Sequence, residues 1–400
     1  MIIFGGLIFS ALSFYIPIIS NPSWPFFIIV YLSTLFIIFS KINLKISSVD
    51  LIFILFIGYI FVSFVFFGMS DATTFYYYLI LFIILPYLSG KAFGKYLIDK
   101  DLNIIIFIAF ITLLLIIFEI AINPELINSE RLLLWVAEDH DGTGGSPIAI
   151  NINILFGAAS IILFHKSIIS LKHKRFLNGI LSLVFLVFII FFASRSAIIS
   201  LFLTFLIMYF LKNKLSLKSS LYFSGLFILL ISVFFIIILN LNEDRLNFIS
   251  AIPEAIDTVS SVFGCNFEND GSIVSRFILW NEAINLFMQN ILFGIGSSNF
   301  GHFYCGQIED LASPHMYILH IASELGILGV IFYVMFLILI FKNSVKENNH
   351  LNSDINFALL AVWIYLTLIS QLNGNYFYDL HLFLISGLLI SLSQIRRVKS

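Results

Sequence analysis

The sequence predicts an all-α polytopic membrane protein of about twelve transmembrane helices with one large external loop, and three observations predict it. Hydrophobic residues make up 60% of the 400 positions and charged residues only 11%, with a mean hydropathy of +1.04. A water-facing surface needs far more charge, so a soluble domain of this size is excluded. The apolar residues form runs long enough to cross a hydrocarbon core of about 30 Å. The polar residues collect instead in one long passage, 241–314.

The runs lie near 2–19, 24–40, 49–67, 75–90, 103–122, 148–164, 176–193, 196–211, 221–240, 315–341, 355–372 and 380–395. They are expected to form a single integral membrane domain over 1–400, with 241–314 as a loop within it. The first run lacks a basic start and a small-residue cleavage site, so it reads as a span rather than a signal peptide. No internal repeat and no soluble domain at either end is evident.

Basic residues orient the chain. Alternate loops hold Lys41 and Lys45; Lys91, Lys95 and Lys100; Lys166, Lys172, Lys174 and Arg175; Lys212, Lys214 and Lys218; Lys342 and Lys346; and Arg396, Arg397 and Lys399. By the positive-inside rule these loops and both termini are cytoplasmic. The opposite face keeps Arg131, Arg195, Arg245 and Arg276, and no lysine. Chance explains four arginines in a small sample. So does a need for planar forks that grip phosphate or carboxylate bidentately. The formal net charge of −2 gives no reason to expect a nucleic-acid partner.

Cys265 and Cys305 both fall in the large loop, where an oxidising compartment permits a disulfide. Such a bridge would brace the loop by about 3–4 kcal/mol in the chain-entropy model. Two cysteines alone are too few ligands for a metal site.

Within the loop, 275–289 reads as an amphipathic helix, with Phe277, Trp280, Ile284 and Phe287 or Met288 at helical spacing and Trp280 suited to the headgroup layer. The stretch Gly294-Ile295-Gly296-Ser297-Ser298-Asn299-Phe300-Gly301 follows. Its backbone N–H groups can approach an anion, but it has no lysine and no preceding strand, and it reads first as a tight turn.

Several side chains are chemical candidates. Ser313 as N-cap and Pro314 at the first helical position put His315 in the first turn of a membrane helix, where the dipole keeps its ring neutral. Arg195, between two spans, either snorkels to lipid phosphate or faces a polar cavity. Arg276 opposes the dipole of the amphipathic helix that it begins, a hint of another use. Glu324, nine residues after His315 and out of phase with it, is read as structural and paired with another helix. Asp139-His140-Asp141 is read as a solvated acidic stretch rather than a cation site, and Asp379 in the last external loop is a further acidic candidate.

The order of these pieces resembles a known family. Ala193-Ser194-Arg195-Ser196-Ala197 stands at a span junction; Arg276 and Trp280 then lead into the glycine-rich turn. His315 follows, with Gly326 and Gly329 at a His-x10-Gly-x2-Gly spacing. This is similar to the O-antigen polymerase and O-antigen ligase superfamily of bacterial membrane glycosyltransferases over about 190–341. Members often have Asn after the histidine, where this chain has Met316.

The resemblance implies transfer of an oligosaccharide from an undecaprenyl-pyrophosphate carrier at the periplasmic face of the inner membrane, without metal or cofactor. The large loop would then be periplasmic. Arg195 and Arg276, with Arg131 or Arg245, would bind the pyrophosphate, and His315 would activate the acceptor hydroxyl. The polymerase is expected, joining lipid-linked repeat units as donor and acceptor, in contact with membrane lipid and with a chain-length regulator protein as a further partner. The ligase is the alternative; a flippase or other transporter of about twelve spans is another, distinguished by polar groups in broken helices at the bilayer midplane.

Overall fold

A computed structural model describes residues 46–69, 72–94, 99–122, 147–169, 172–191, 195–212, 274–303, 313–347, 353–373 and 379–397. Among them every regular element is a helix and none is a strand. In chain order these are α1 (Ser48–Phe67), α2 (Ala72–Tyr78), a π-helical turn (Leu79–Ile84), α3 (Leu85–Phe93), α4 (Asp99–Ile122), α5 (Pro147–Ile169), α6 (Lys172–Phe191), α7 (Arg195–Lys212), α8 (Val274–Gln289), α9 (Phe300–Phe303), α10 (Tyr317–Glu347), α11 (Ser353–Asn373) and α12 (Leu380–Arg397). Each apolar run within the described residues falls on helix, with 75–90 divided among α2, the π-helical turn and α3. The runs 2–19, 24–40 and 221–240 lie outside them.

Among the described residues four stretches are long and apolar enough to cross a membrane: Ser48–Phe67, Leu102–Ile122, Tyr317–Val345 and Ile355–Leu372. Shorter apolar helices accompany them at Leu79–Phe93, Ile152–Ile168, Ser196–Leu211 and Leu380–Gln394. The π-helical turn directly precedes Pro86. A proline ring crowds the carbonyl four residues back, and one wider turn relieves that clash without ending the helix.

The helices pack around one apolar core in which α10 touches α1, α11 and α12, and α11 also meets α5 and α7. Aromatic side chains fill it. Phe53 stacks on Tyr87 at 3.9 Å, and Tyr317 stacks on Tyr333 at 4.9 Å. At the end where α1 begins, Lys91 Nζ lies 2.7 Å from Asp50 Oδ2, and the Tyr87 hydroxyl donates to Asp50 Oδ1 at 2.8 Å. Ser47 completes a capping box with Asp50. A buried charge survives only with partners of this kind.

Helix α10 is not continuous. Gly326 has φ 63° and ψ −165°, which no helix accommodates, so the element is two helices joined at a break. Residues 327–347 alone rise roughly 30 Å, one hydrocarbon thickness. The shorter arm, 317–325, therefore extends beyond what a single crossing requires. At that end of the bundle α1 finishes, α8 packs on α10, and α11 hands over to α12.

Candidate functional site

The site is built on the break in α10. A broken helix leaves carbonyls and N–H groups without their usual partners, and burying them unpaired costs about 1–3 kcal/mol each. Here the turn after α8 supplies the partners. Ile295 N–H donates to Ser323 O at 2.9 Å, Gly296 N–H to Glu324 O at 2.9 Å, and Ile327 N–H to Ile291 O at 2.7 Å. From α1, the Tyr59 hydroxyl donates to Leu325 O at 2.9 Å. The two backbones touch so closely that only glycine fits: a Cβ on Gly294 would lie 2.3 Å from Glu324 C, and one on Gly326 2.4 Å from Leu292 O. Both also have positive φ, which glycine alone adopts without penalty.

The turn is docked onto α1 as well. Asn299 is fully buried. Its side-chain amide donates to Phe67 O at 2.6 Å, and its carbonyl accepts from Met69 N–H at 2.7 Å. Ser297 N–H donates to Ser63 Oγ at 3.1 Å. With Ser298 N–H and Phe300 N–H donating to the two carboxyl oxygens of Glu324 at 2.7 and 2.9 Å, these backbone donors are occupied from within the protein. The turn is thus structural, as its lack of lysine suggests, and its anion is a side chain of this chain. Glu324 departs from expectation in one respect: its partners are this turn and, on its own helix, His320 Nε2 at 3.2 Å.

Helix α8 forms where expected, but its buried face differs. Leu279, Ala283 and Leu286 are buried against Ile295 and Phe300, with Leu319 beside them, while Ile284 and Met288 from the expected stripe are exposed. The exposed stripe continues through Ile291, Leu292 and Phe293, so α8 is apolar on two sides. One side packs on α10 and the other suits a membrane surface. Trp280 is half-buried, and its indole N–H is engaged by protein rather than left to headgroups: it donates to Pro314 O at 2.9 Å.

That contact also explains where α10 starts. A helix capped by Ser313 would pair the Pro314 carbonyl with Ile318 N–H. The carbonyl is taken by Trp280, and Ile318 N–H donates instead to Gln371 Oε1 at 3.2 Å. The first helical bond is His320 N–H to Met316 O at 2.9 Å. His315 therefore lies ahead of the helix rather than in its first turn, with φ 50°. A non-glycine residue held in the left-handed region marks strain that the surroundings impose, and such strain gathers at functional sites.

His315 keeps an exposed surface, yet enough protein surrounds it to disfavour the imidazolium. Its pKa is pushed down to about 4, first by this desolvation and then by the positive charge of Arg276. The ring is neutral as expected, for a different reason than the helix dipole alone. Arg276 and His315, 39 positions apart in sequence, are thus near enough for the Arg276 charge to act on the ring, and the Trp280–Pro314 bond joins the segments that carry them.

Asp379 joins from the last interhelical segment. It caps α12, accepting from Leu382 N–H at 3.2 Å, and the Ser370 hydroxyl donates to it. Burial pushes its pKa up to about 6 against these two hydrogen bonds. The next residue on α11, Gln371, donates to the Tyr333 hydroxyl at 3.3 Å and accepts from Ile318 as above. A polar chain thus runs from α11 to the segment that carries His315, with Asp379 at its side. Sequence reasoning missed Gln371 and Tyr333; the available signal was a glutamine at the end of the apolar run 355–372.

Arg195 opens α7, and its side chain lies outside the description. Arg131, Arg245, Cys265 and Cys305 lie outside the described residues, as do Asp139, His140 and Asp141. Among the described residues no group of three His, Cys, Asp or Glu side chains converges to hold a metal ion.

A family model described as O-antigen ligase matches residues 180–334, which include Arg195, α8, the turn, His315 and the break. No curated protein matches the chain.

Proposed function

We propose, from the match of residues 180–334 to the O-antigen ligase family model, which supports the O-antigen polymerase and ligase superfamily, that this chain is a polymerase joining undecaprenyl-pyrophosphate-linked repeat units at the periplasmic face of the inner membrane. The observation that carries this reading is the Trp280 bond to Pro314 O at 2.9 Å, which ties the helix of Arg276 to the residue before His315, whose ring the Arg276 charge affects. Breaking a glycosyl–pyrophosphate bond builds charge on the leaving group, which a fixed guanidinium stabilises most where water is scarce. Arg276 takes that role, with Arg195, and Arg131 or Arg245, as further donors to the pyrophosphate.

The acceptor is a sugar hydroxyl, a poor nucleophile until it loses its proton. A neutral His315 can accept that proton. Its basicity is held low first by desolvation and then by the Arg276 charge. A pyrophosphate bound beside Arg276 would offset the cation and remove that part of the depression, so the donor would make the ring a better base. Asp379, with its raised pKa, is a second acceptor of protons on the same side. No metal ion or cofactor enters this scheme.

The description of the matching family model favours a second reading, the ligase, which would transfer glycan to lipid A–core. A transporter fits less well. Its break would expose polar backbone to a cavity at the midplane, whereas the carbonyls at Gly326 are filled by Ile295, Gly296 and Tyr59.

Deletion of the gene tests all three. Loss of a polymerase leaves lipid A–core bearing a single repeat unit, because ligation survives. Loss of a ligase leaves bare core and accumulated lipid-linked polymer. His315→Ala should reproduce the deletion phenotype with the protein still in the membrane, since proton removal is worth typically 10²–10⁴ in rate. An unchanged surface glycan in the deletion strain would reject the glycosyltransferase reading.

A further inference from the structure

We infer that Glu324 is a positioning residue: by holding the backbone of the turn at 298–300 it fixes helix α8, and with it Arg276, against the segment that carries His315. The grip is direct. Each carboxyl oxygen of Glu324 accepts one backbone N–H, from Ser298 at 2.7 Å and from Phe300 at 2.9 Å. Ser298 has φ 64°, the left-handed conformation that turns its N–H inward and that serine holds only under restraint. Glu324 is 1% exposed, so neither bond is exchanged for water.

From that grip the connections close into a ring. The turn leads back into α8 through Asn290, whose N–H donates to Leu286 O at 3.1 Å. One turn beyond Arg276 on α8, Trp280 donates to Pro314 O, the residue before His315. From His315 the chain returns along the short arm of α10 to Glu324, where the break at Gly326 ends it. Trp280 fastens the ring at one side; at the other the Glu324 carboxylate works beside the backbone bonds Ile295 to Ser323 O, Gly296 to Glu324 O and Ile327 to Ile291 O. Glu324 reaches this site through the turn, whose Ser298 and Phe300 N–H groups it holds. Its nine-residue offset from His315 sets the length of the arm that holds the ring open.

Two experiments on the full chain in nanodiscs decide this. The first is amide hydrogen exchange of wild type, Glu324→Gln and Glu324→Asp. In Glu324→Gln, one of the two carboxyl oxygens becomes an NH₂ that donates and cannot accept, so one of the two N–H groups loses its partner, and the side chain of Glu324→Asp is one methylene too short for both. Peptides covering 294–303 should exchange at least tenfold faster in each variant, with those covering 355–372 unchanged. Protection at 294–303 equal to wild type in both variants would overturn the grip, whatever the protein catalyses. If one variant fails to enter the membrane, the other supplies the reading.

The second is a kinetic cycle of Glu324→Gln with Arg276→Lys, an effect on turnover that rests on the transferase reading above. Glu324→Gln should lower kcat about tenfold. The double variant should fall within about threefold of Arg276→Lys alone, because residues acting through one another do not lose activity additively. Fully additive losses would mean that Glu324 only stabilises the fold. Absence of transfer in wild type would reject the function, and the exchange arm would still decide the grip.

Discussion

The indole N–H of Trp280 donates to the backbone carbonyl of Pro314 at 2.9 Å, across 34 positions of sequence. One bond thereby joins the helix that carries Arg276 to the residue before His315, and it diverts the carbonyl that would otherwise start α10 two residues earlier. Trp280→Phe keeps most of the ring and removes only the donor. It should cost about 1 kcal/mol in thermal unfolding, the net worth of such a bond. Transfer activity should fall severalfold, because His315 loses one restraint. Activity equal to wild type would separate α8 from the site.

Arg276→Lys and Arg195→Lys keep the charge and lose the planar fork. Each should lose most transfer activity at normal membrane levels of protein, measured by glycan ladders and by in vitro polymerisation. Full activity in both would make them lipid anchors.

The pKa values set the pH profile. Asp379 is raised to about 6 and His315 lowered to about 4. If both act in their deprotonated forms, activity should rise with pH through about 6 as Asp379 ionises, with no limb from His315 above pH 5 in the free enzyme. Asp379→Asn should remove the limb near 6. A wild-type kcat/KM that is flat from pH 5 to 7 would exclude Asp379 from the reaction.

At the other end of the bundle, Lys91→Met should leave the Asp50 carboxylate buried without its cation. Breaking a buried pair in this way costs about 3–5 kcal/mol, read as a drop in the unfolding temperature in detergent. Combining it with Asp50→Asn should recover much of that loss. A double variant no more stable than Lys91→Met would mean that the pair is not an isolated charge problem.

Much of the chain was legible in its sequence because the signals are local. Helices close their hydrogen bonds four residues apart, so apolar runs such as 355–372 and the helix at 275–289 show in composition and spacing. The order Arg276, Trp280, glycine-rich turn, His315, Gly326, Gly329 was enough to point to the superfamily. Those residues constrain one another so tightly that their spacing is itself a signal. Membrane lipid also spares the sequence from hiding its apolar faces, which is why the exposed stripe of α8 looked like the obvious face.

Only the tertiary structure decided the rest, and in each case a bond between distant residues overrode a local rule. Ser313 and Pro314 are sound helix-start residues, yet Trp280 and Gln371 take the groups that would close the first turn. Glu324 sits mid-run like a span residue, yet a turn 26 positions earlier claims it. Local periodicity made α8 one-sided, but packing on Phe300 and Leu319 buried Leu279, Ala283 and Leu286 instead. The physical reason is common to all three: a buried backbone donor or acceptor must be paired, and which partner meets it depends on contacts made across the fold.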